Sequence, residues 1–189
     1  MSFVRKRLRP RLLLVYLLAF SVIYLAEPTP TRLVLGSLLV TLGEALRIWA
    51  TGHLSKNEEL TVTGPYRYLR HPLYLGTLLI GSGFAVMGLG PVTFWILAIF
   101  VVGFVAYYLP YKDRIESARL ESLYGEPFRR YRTAVPRIVP RLRPYTPLAD
   151  ELREADAWRR DRFAENHELG TGLVVLAGVL AMLLRWGLL

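Results

Sequence analysis

Long apolar runs with few charges are the feature that most limits how this chain of 189 residues can fold. A helix needs about 20 mostly apolar residues to cross a bilayer. Because the hydrocarbon core offers no water to the backbone, such a segment must satisfy its own hydrogen bonds, as a helix does. Five runs reach or approach that length, at about 11–26, 31–50, 73–89, 91–109 and 170–189. We therefore predict an all-α integral membrane protein with about five transmembrane helices, rather than a soluble helical bundle.

The residues that connect these runs predict retained and closely paired helices. The first run follows a basic tail, "RKRLRPR", and is followed by Glu27 and Pro28, where a signal peptide would have small residues for cleavage. The third and fourth runs are separated only by the turn "GLGP", and Pro91 suits the first position of a helix. We expect the first run to remain in the protein and residues 73–109 to form a helical hairpin.

The distribution of basic residues predicts the orientation. The chain carries 24 Lys and Arg against 15 Asp and Glu, and basic residues collect on the cytoplasmic side of membrane proteins. If the N-terminus is cytoplasmic, only Arg32 and Arg185 fall on or near the far side. We expect a prokaryotic cytoplasmic membrane, with the loop 51–72 and the segment 111–142 on its cytoplasmic face. Since these flanks explain the high isoelectric point, no nucleic-acid partner is expected.

Cysteine and histidine usage narrows the possible chemistry. The chain has no Cys, which excludes disulfides, a thiol nucleophile and Cys-ligated metals. Its three histidines, His53, His71 and His167, are far apart and lack the spacing of metal ligands. We expect no metal site.

The loop between the second and third runs concentrates basic and aromatic side chains. The sequence "TGP" at 63–65 predicts a turn. Pro72 suits the first position of a helix, so His71 should lie near its N-cap at the membrane interface. The positive end of the helix dipole disfavours a protonated imidazole there, and we expect a neutral one. Arg67 and Arg70 either hold the loop on the cytoplasmic side or contact a ligand.

The segment 111–142 contains the second group of candidate residues. A helix is predicted to continue the fourth run and to end at Gly125. Lys112 and Glu116 are one turn apart on it, which is typical of an i,i+4 ion pair contributing about 0.3–0.5 kcal/mol, or of a charged pair facing a polar ligand. Two prolines in "VPRIVPRL" exclude a long helix further on. We expect an extended basic strap lying on the membrane.

Two ionisable residues, Glu44 and Arg47, lie inside the second run. Ionisable groups within a membrane span usually face each other or a polar cavity. Because both are near the cytoplasmic end, we expect Arg47 to reach the interface and pair with Glu44. The alternative is that the pair lines a ligand cavity.

The chain is predicted to form one membrane domain over 1–189. Two spans occupy 1–50, and a core over 51–142 surrounds the hairpin. The remainder, 143–189, combines a charged interfacial helix near 148–168 with the last span. This extension is expected to contribute packing, contacts between copies in an oligomer, or the shape of a ligand entrance.

Three pieces of sequence, in order, resemble the isoprenylcysteine carboxyl methyltransferase and phospholipid methyltransferase group of integral membrane enzymes. The first is "LRIWA". The second, "LTVTGPYRYLRHPLYLG", resembles Leu-Val-x-x-Gly-x-Tyr…Arg-His-Pro-x-Tyr-x-Gly. The third, Glu116 followed by "LESLYGEPFRRYRTAVPR", resembles Glu-Glu-x-x-Leu-x-x-x-Phe-Gly-x-x-Tyr-x-x-Tyr…Val-Pro. The match covers about residues 35–141.

The resemblance implies S-adenosylmethionine, released as S-adenosylhomocysteine, at the cytoplasmic membrane face. It also implies a lipophilic acceptor from the bilayer, such as a phospholipid amine or an isoprenyl-type carboxylate. The positions that match the family's cofactor residues are Leu60, Thr61, Tyr66, His71, Pro72, Tyr74 and Glu116. The candidate catalytic residues are Glu116, Lys112 and Arg67. The candidate acceptor contacts are Lys112, Arg137, Glu44 and Arg47.

Two positions depart from the family pattern. Ser117 replaces the second glutamate of the pair, and Lys112 stands where the family usually has an arginine that holds the acceptor. Lysine does not reproduce a planar two-point contact with a carboxylate, which weighs against prenylcysteine as the acceptor. No residue is identified as a dedicated base. Two other functions remain open: a sterol-type NADPH-dependent membrane reductase, and a non-catalytic membrane protein that keeps the fold.

Overall fold

The structure, a computed structural model, describes residues 21, 23–55, 59–148, 157–166 and 168–188. All regular structure in these residues is helical: α1 (Pro30–His53), α2 (Pro72–Met87), α3 (Pro91–Val102), α4 (Leu109–Tyr124), α5 (Glu126–Ala134), α6 (Arg160–Glu165) and α7 (Glu168–Gly187). A 3₁₀ turn, Gly64–Arg67, precedes α2, and a π-helical turn, Gly103–Tyr108, joins α3 to α4. The prediction of an all-α fold is confirmed.

Among the described residues, three helices are long and apolar enough to cross a membrane: α1, the continuous helix Pro91–Tyr124, and α7. The run predicted at 73–89 forms α2, an apolar helix of 16 residues. The run at 11–26 lies almost entirely outside the described residues. The chain is therefore an integral membrane protein, with three spans supported by length and composition.

Glycines allow α1 and α2 to pack in close antiparallel contact. A Cβ added at Gly36 would lie 2.5 Å from the carbonyl oxygen of Gly83, and one at Gly43 would lie 2.7 Å from that of Gly76. Such distances are shorter than any ordinary van der Waals contact, so only glycine fits. Small residues at helix interfaces let the two backbones approach in a membrane. Gly76 and Gly83 on α2 thus meet Gly43 and Gly36 on α1 at the points of closest approach.

The helix Pro91–Tyr124 reaches beyond the bilayer. Its 34 residues correspond to roughly 50 Å at about 1.5 Å per residue, whereas the hydrocarbon core is about 30 Å thick. Its C-terminal part, α4, therefore projects from the membrane and carries the charged residues of the 111–124 stretch. It ends at Gly125, whose φ of 57° starts a reversal into α5. The predicted end of this helix is confirmed.

The strap after α5, described over residues 135–148, is not helical, as the two prolines predicted, and it lies along the loop that precedes α2. The backbone N–H of Arg70 donates to the carbonyl of Pro136 at 2.9 Å, and that of His71 donates to Arg137 at 3.0 Å. Further along, the N–H of Arg141 donates to Tyr68 at 3.0 Å. The strap thus supplies hydrogen-bond partners to the His71 loop, a role that its sequence did not indicate.

The interfacial helix predicted near 148–168 is shorter than expected. Residues 157–159 are extended, and the helix over the described part is α6; residues 149–156 lie outside the description. The last four carbonyls of a helix have no partners within it, and here this tail donates to three of those of α1 and to the carbonyls of Ile48 and Leu54 nearby. The donor and acceptor pairs are Trp158 to Ile48, Arg159 to Gly52, Arg162 to His53, and Asn166 to Thr51 and Leu54. Over the described residues of this stretch, the predicted helix is limited to α6.

Candidate functional site

A cavity of about 360 Å³ lies beside the N-terminus of α2, between the loop 54–71 and the helices α4 and α5. This volume falls in the range of small-molecule sites, about 300–1,000 Å³. Its wall includes every position that the resemblance assigned to the cofactor: Leu60, Thr61, Tyr66, His71, Pro72, Tyr74 and Glu116. Residues separated by more than 50 positions in the sequence therefore meet around one space.

The apolar wall of this cavity is a small core of its own. Leu60 and Val62 pack against Phe128, Tyr131 and Val135, so α5 fixes the extended stretch before the 3₁₀ turn. The hydroxyl of Tyr131 donates to the backbone carbonyl of Tyr66 at 2.8 Å. Burial raises the pKa of Tyr131 well above its usual value, so its hydroxyl remains a neutral donor.

His71 lies at the N-cap of α2 and Pro72 occupies the first helical position, as the sequence predicted. The imidazole is buried, and its Nε2 lies 2.8 Å from Oδ1 of Asp113. Burial lowers the pKa of His71, and its hydrogen bond to Asp113 and the charge of Glu116 oppose that shift. The net direction is downward, which favours the neutral imidazole expected at this position.

Glu116 forms the polar edge of the cavity with His71 and Tyr74. Its Oε1 accepts a hydrogen bond from the Tyr74 hydroxyl, and its Oε2 lies 3.6 Å from Nδ1 of His71. The rings of His71 and Tyr74 are 5.2 Å apart, and Tyr108 from the π-helical turn contacts Tyr74 edge to face at 5.9 Å. Arg119, one turn beyond Glu116, lines the same cavity.

Asp113 is the residue that sequence reasoning missed. Its side chain is 3% exposed, yet its carboxylate contacts four groups. Besides Nε2 of His71, these are Arg70 Nη1 at 2.8 Å, Arg137 Nε at 2.8 Å and Ser117 Oγ at 3.2 Å. One sequence signal was available, because Asp113 lies one helical turn before Ser117, where the family's second glutamate is missing.

The remaining candidates lie outside the cavity wall as far as the structure describes it. Lys112 lies one turn before Glu116 on α4. The ion pair expected between these two described residues is not formed, and Glu116 accepts a hydrogen bond from Tyr74 instead. Arg67 donates through Nε to the carbonyl of Tyr145 at 2.8 Å. Arg137 is half exposed and reaches the site through Asp113.

The expected pair of Arg47 with Glu44 is wrong. Arg47 instead bonds Glu168 at the start of α7, with Nε–Oε1 and Nη2–Oε2 distances of 2.6 and 3.0 Å, and it donates to Thr77 at 2.7 Å. The Oε1 atom of Glu44 is buried without a hydrogen-bond partner. Within the described residues, neither Glu44 nor Arg47 lines the cavity. No three His, Cys, Asp or Glu side chains in this part of the chain are grouped as a metal ion requires.

A family model described as phospholipid methyltransferase matches residues 31–127, from α1 through the cavity loop to the start of α5. The chain belongs to the phospholipid methyltransferase family. This confirms the resemblance read from the sequence and supports a membrane methyltransferase as its kind. The matched region holds most of the cavity wall, whereas the strap, α6 and α7 follow it.

Two curated relatives are similar to this chain. The cobalt-zinc-cadmium resistance protein CzcN of Cupriavidus metallidurans is 36% identical over 121 residues, which are 62% of this chain and 53% of that protein. The nickel-cobalt-cadmium resistance protein NccN of Alcaligenes xylosoxydans xylosoxydans is 31% identical over 158 residues, 82% of this chain and 71% of that protein. The chain thus spans about half the length of the first relative. No solved structure matches.

Proposed function

We propose that the protein is an S-adenosylmethionine-dependent methyltransferase that modifies a lipophilic acceptor at the cytoplasmic face of the membrane. The observation that carries this proposal is the convergence on one cavity of all seven positions matched to the family's cofactor residues. Family membership supports the reaction class. The proposed catalytic role of Glu116 and the binding roles of the other positions rest on these two findings together.

The chemistry of the cavity wall fits this cofactor. When bound, S-adenosylmethionine supplies an electrophilic methyl group on a sulfonium; its other end carries an ammonium and a carboxylate. The Glu116 carboxylate and the Nδ1 lone pair of His71 are two acceptors only 3.6 Å apart, an arrangement that suits a cationic donor. Arg119 on the same wall provides a guanidinium of the opposite charge. Leu60, Phe128 and Tyr131 offer an apolar surface for a planar ring.

The acceptor is proposed to approach from the bilayer along α3 and α4. Tyr108, Lys112 and Glu116 follow one another at four-residue spacing, so they share a face of the long helix. Lys112 lies on the membrane side of Glu116 and suits the phosphate or carboxylate of a lipophilic acceptor. A carboxylate acceptor is already ionised, whereas an amine must lose a proton before it attacks. Glu116 is the carboxylate on the cavity wall that is proposed to accept that proton. Arg67 and Arg137 remain further candidates for acceptor contacts, whereas Glu44 and Arg47 do not line the cavity within the described residues.

Binding measurements in detergent test the cofactor assignment. We expect S-adenosylhomocysteine to bind the wild-type protein in a calorimeter, and His71→Ala and Glu116→Ala to weaken it. Glu126→Ala is the matched control, because Glu126 is exposed and bonds Arg129 away from the cavity. Wild-type affinity in both site variants would refute the assignment. Binding of NADPH instead would favour the reductase.

Methyl transfer is tested separately with methyl-labelled S-adenosylmethionine and total lipid from the native membrane. A labelled lipid, identified by its headgroup or acid, names the acceptor. Binding of the cofactor without transfer to any lipid would favour a non-catalytic protein.

The names of the relatives favour one physiological setting for this activity. Both are named as metal-resistance proteins, so we propose that methylation contributes to tolerance of cobalt or cadmium. A deletion strain complemented with the wild-type gene should grow at higher metal concentration than one complemented with Glu116→Ala. Equal growth of the two strains would show that metal resistance does not depend on the proposed catalytic residue Glu116.

A further inference from the structure

The buried carboxylate of Asp113 joins three segments that approach the cavity from different directions. Arg70 and His71 come from the loop before α2, Ser117 comes from α4 itself, and Arg137 comes from the strap. Its two oxygens contact different groups. Oδ1 contacts Arg70, His71 and Ser117, whereas Oδ2 contacts Arg137. A group with this many partners controls the orientation of each of them.

We propose that Asp113 is a positioning residue of the candidate site, which holds His71 as the neutral tautomer protonated on Nε2. In this tautomer Nδ1 keeps its lone pair, so that Nδ1 and the nearby Glu116 carboxylate can both accept hydrogen bonds from a ligand. The consequence for cofactor binding rests on the proposed function, whereas the tautomer itself does not.

The geometry leads to this tautomer in two steps. An ionised carboxylate only accepts hydrogen bonds, so at 2.8 Å the Nε2 of His71 must carry the hydrogen. A neutral imidazole has one N–H, and Nδ1 is then an acceptor. The charged groups around His71 are Arg70 on its own loop, Asp113 and Glu116 from α4, and Arg137 from the strap. A second proton would sit on Nδ1, 3.6 Å from Oε2 of Glu116, and burial of the imidazole opposes the charge it would bring.

Asp113 also explains how the chain tolerates serine at the second glutamate position. The Ser117 hydroxyl lies 3.2 Å from Oδ1 of Asp113 and 3.4 Å from Nη1 of Arg70. Residues four apart on a helix project side by side, so Asp113 places a carboxylate where position 117 would have placed one. In this chain the carboxylate opposite Arg70 is therefore supplied one turn before the second glutamate position of the family motif.

Nitrogen NMR of the full chain in detergent, labelled at its histidines, tests the tautomer directly. His71→Gln assigns the signal among the three histidines. We expect the wild-type His71 to be neutral with the proton on Nε2 between pH 7 and 8, and Asp113→Ala to abolish that preference. A proton on Nδ1 in the wild type, or an unchanged signal in Asp113→Ala, would overturn the proposal.

The affinity for S-adenosylhomocysteine tests the consequence. Asp113→Ala should weaken it about tenfold or more, since a hydrogen bond to a charged group typically contributes at least that factor. Adding Ser117→Asp should restore most of the loss, and Asp161→Ala, which removes an exposed carboxylate, should have no effect. If Asp113→Ala loses affinity and adding Ser117→Asp does not restore it, a carboxylate at position 117 cannot replace that of Asp113. If no variant folds, the tautomer of His71 measured in the wild-type protein alone supports or overturns the proposal. If the folded wild type binds no cofactor, the proposed function fails and the NMR result stands alone.

Discussion

Replacing Glu168 with leucine should destabilise the protein by about 3 kcal/mol, because Arg47 then loses its carboxylate partner inside the helix bundle. The two side chains are only 15% and 4% exposed and make a two-point contact. Removing one member of a buried pair typically costs about 3–5 kcal/mol. The lower value applies because Arg47 keeps its hydrogen bond to Thr77. For a chain of this size, the melting temperature should fall by roughly 6–12 °C.

Thermal unfolding in detergent, read by the tryptophan signal, measures this effect. The double variant Arg47→Leu with Glu168→Leu should recover most of the loss, because replacing a whole buried pair by apolar side chains is often neutral. Glu44→Leu is the control, since Glu44 has a buried oxygen with no hydrogen-bond partner and is not bonded to Arg47. If Glu44→Leu were the more damaging change, or if the double variant were no more stable than Glu168→Leu, the pairing would be refuted.

Three further changes test other parts of the structure. Gly83→Val should disturb the packing of α1 against α2 and lower the free energy of unfolding by about 1–3 kcal/mol or more. Gly103→Ala is the control, because nothing lies within 4 Å of its added carbon, and it should be tolerated. Thermal unfolding of both variants measures the difference. The pKa of His71 is lowered by burial, so the folded state resists a proton that the unfolded state takes up near pH 6.5. Wild type should therefore lose stability relative to His71→Gln as the pH falls from 7 to 5; an unchanged difference contradicts this. Tyr74→Phe removes the hydrogen-bond donor to Glu116. It should weaken S-adenosylhomocysteine binding, measured by calorimetry, without lowering the melting temperature, measured by thermal unfolding.

The sequence predicted most of the backbone because its signals are local. Apolar length located the spans, Pro72 and Pro91 located helix starts, and Gly125 located the end of α4. The interfacial helix near residue 160 was overestimated, since its charged composition favours a helix locally while α1 requires donors at its end. Local composition could not indicate that requirement.

The cavity was predictable only as far as the family motifs extend. Those motifs selected seven wall residues, and Arg119 on the same face of α4 was missed. Asp113 was missed because its partners are 42 and 43 residues earlier, and its burial depends on three segments meeting. The Arg47 partner was misassigned for a related reason. Glu44 is near in sequence, whereas Glu168 is 121 residues away.

The pairing of charges distinguishes Glu116 from Asp113 and Glu168. Asp113 and Glu168 are each bonded to arginine, so their charges are neutralised within the fold. Glu116 is bonded instead by the uncharged hydroxyl of Tyr74, and beside it stands His71, whose lowered pKa keeps it neutral. Glu116 is also about 40% exposed. Glu116 is thus a partly exposed carboxylate on the cavity wall whose hydrogen-bond donor is uncharged, which is the physical reason to expect a positively charged group of a ligand beside it.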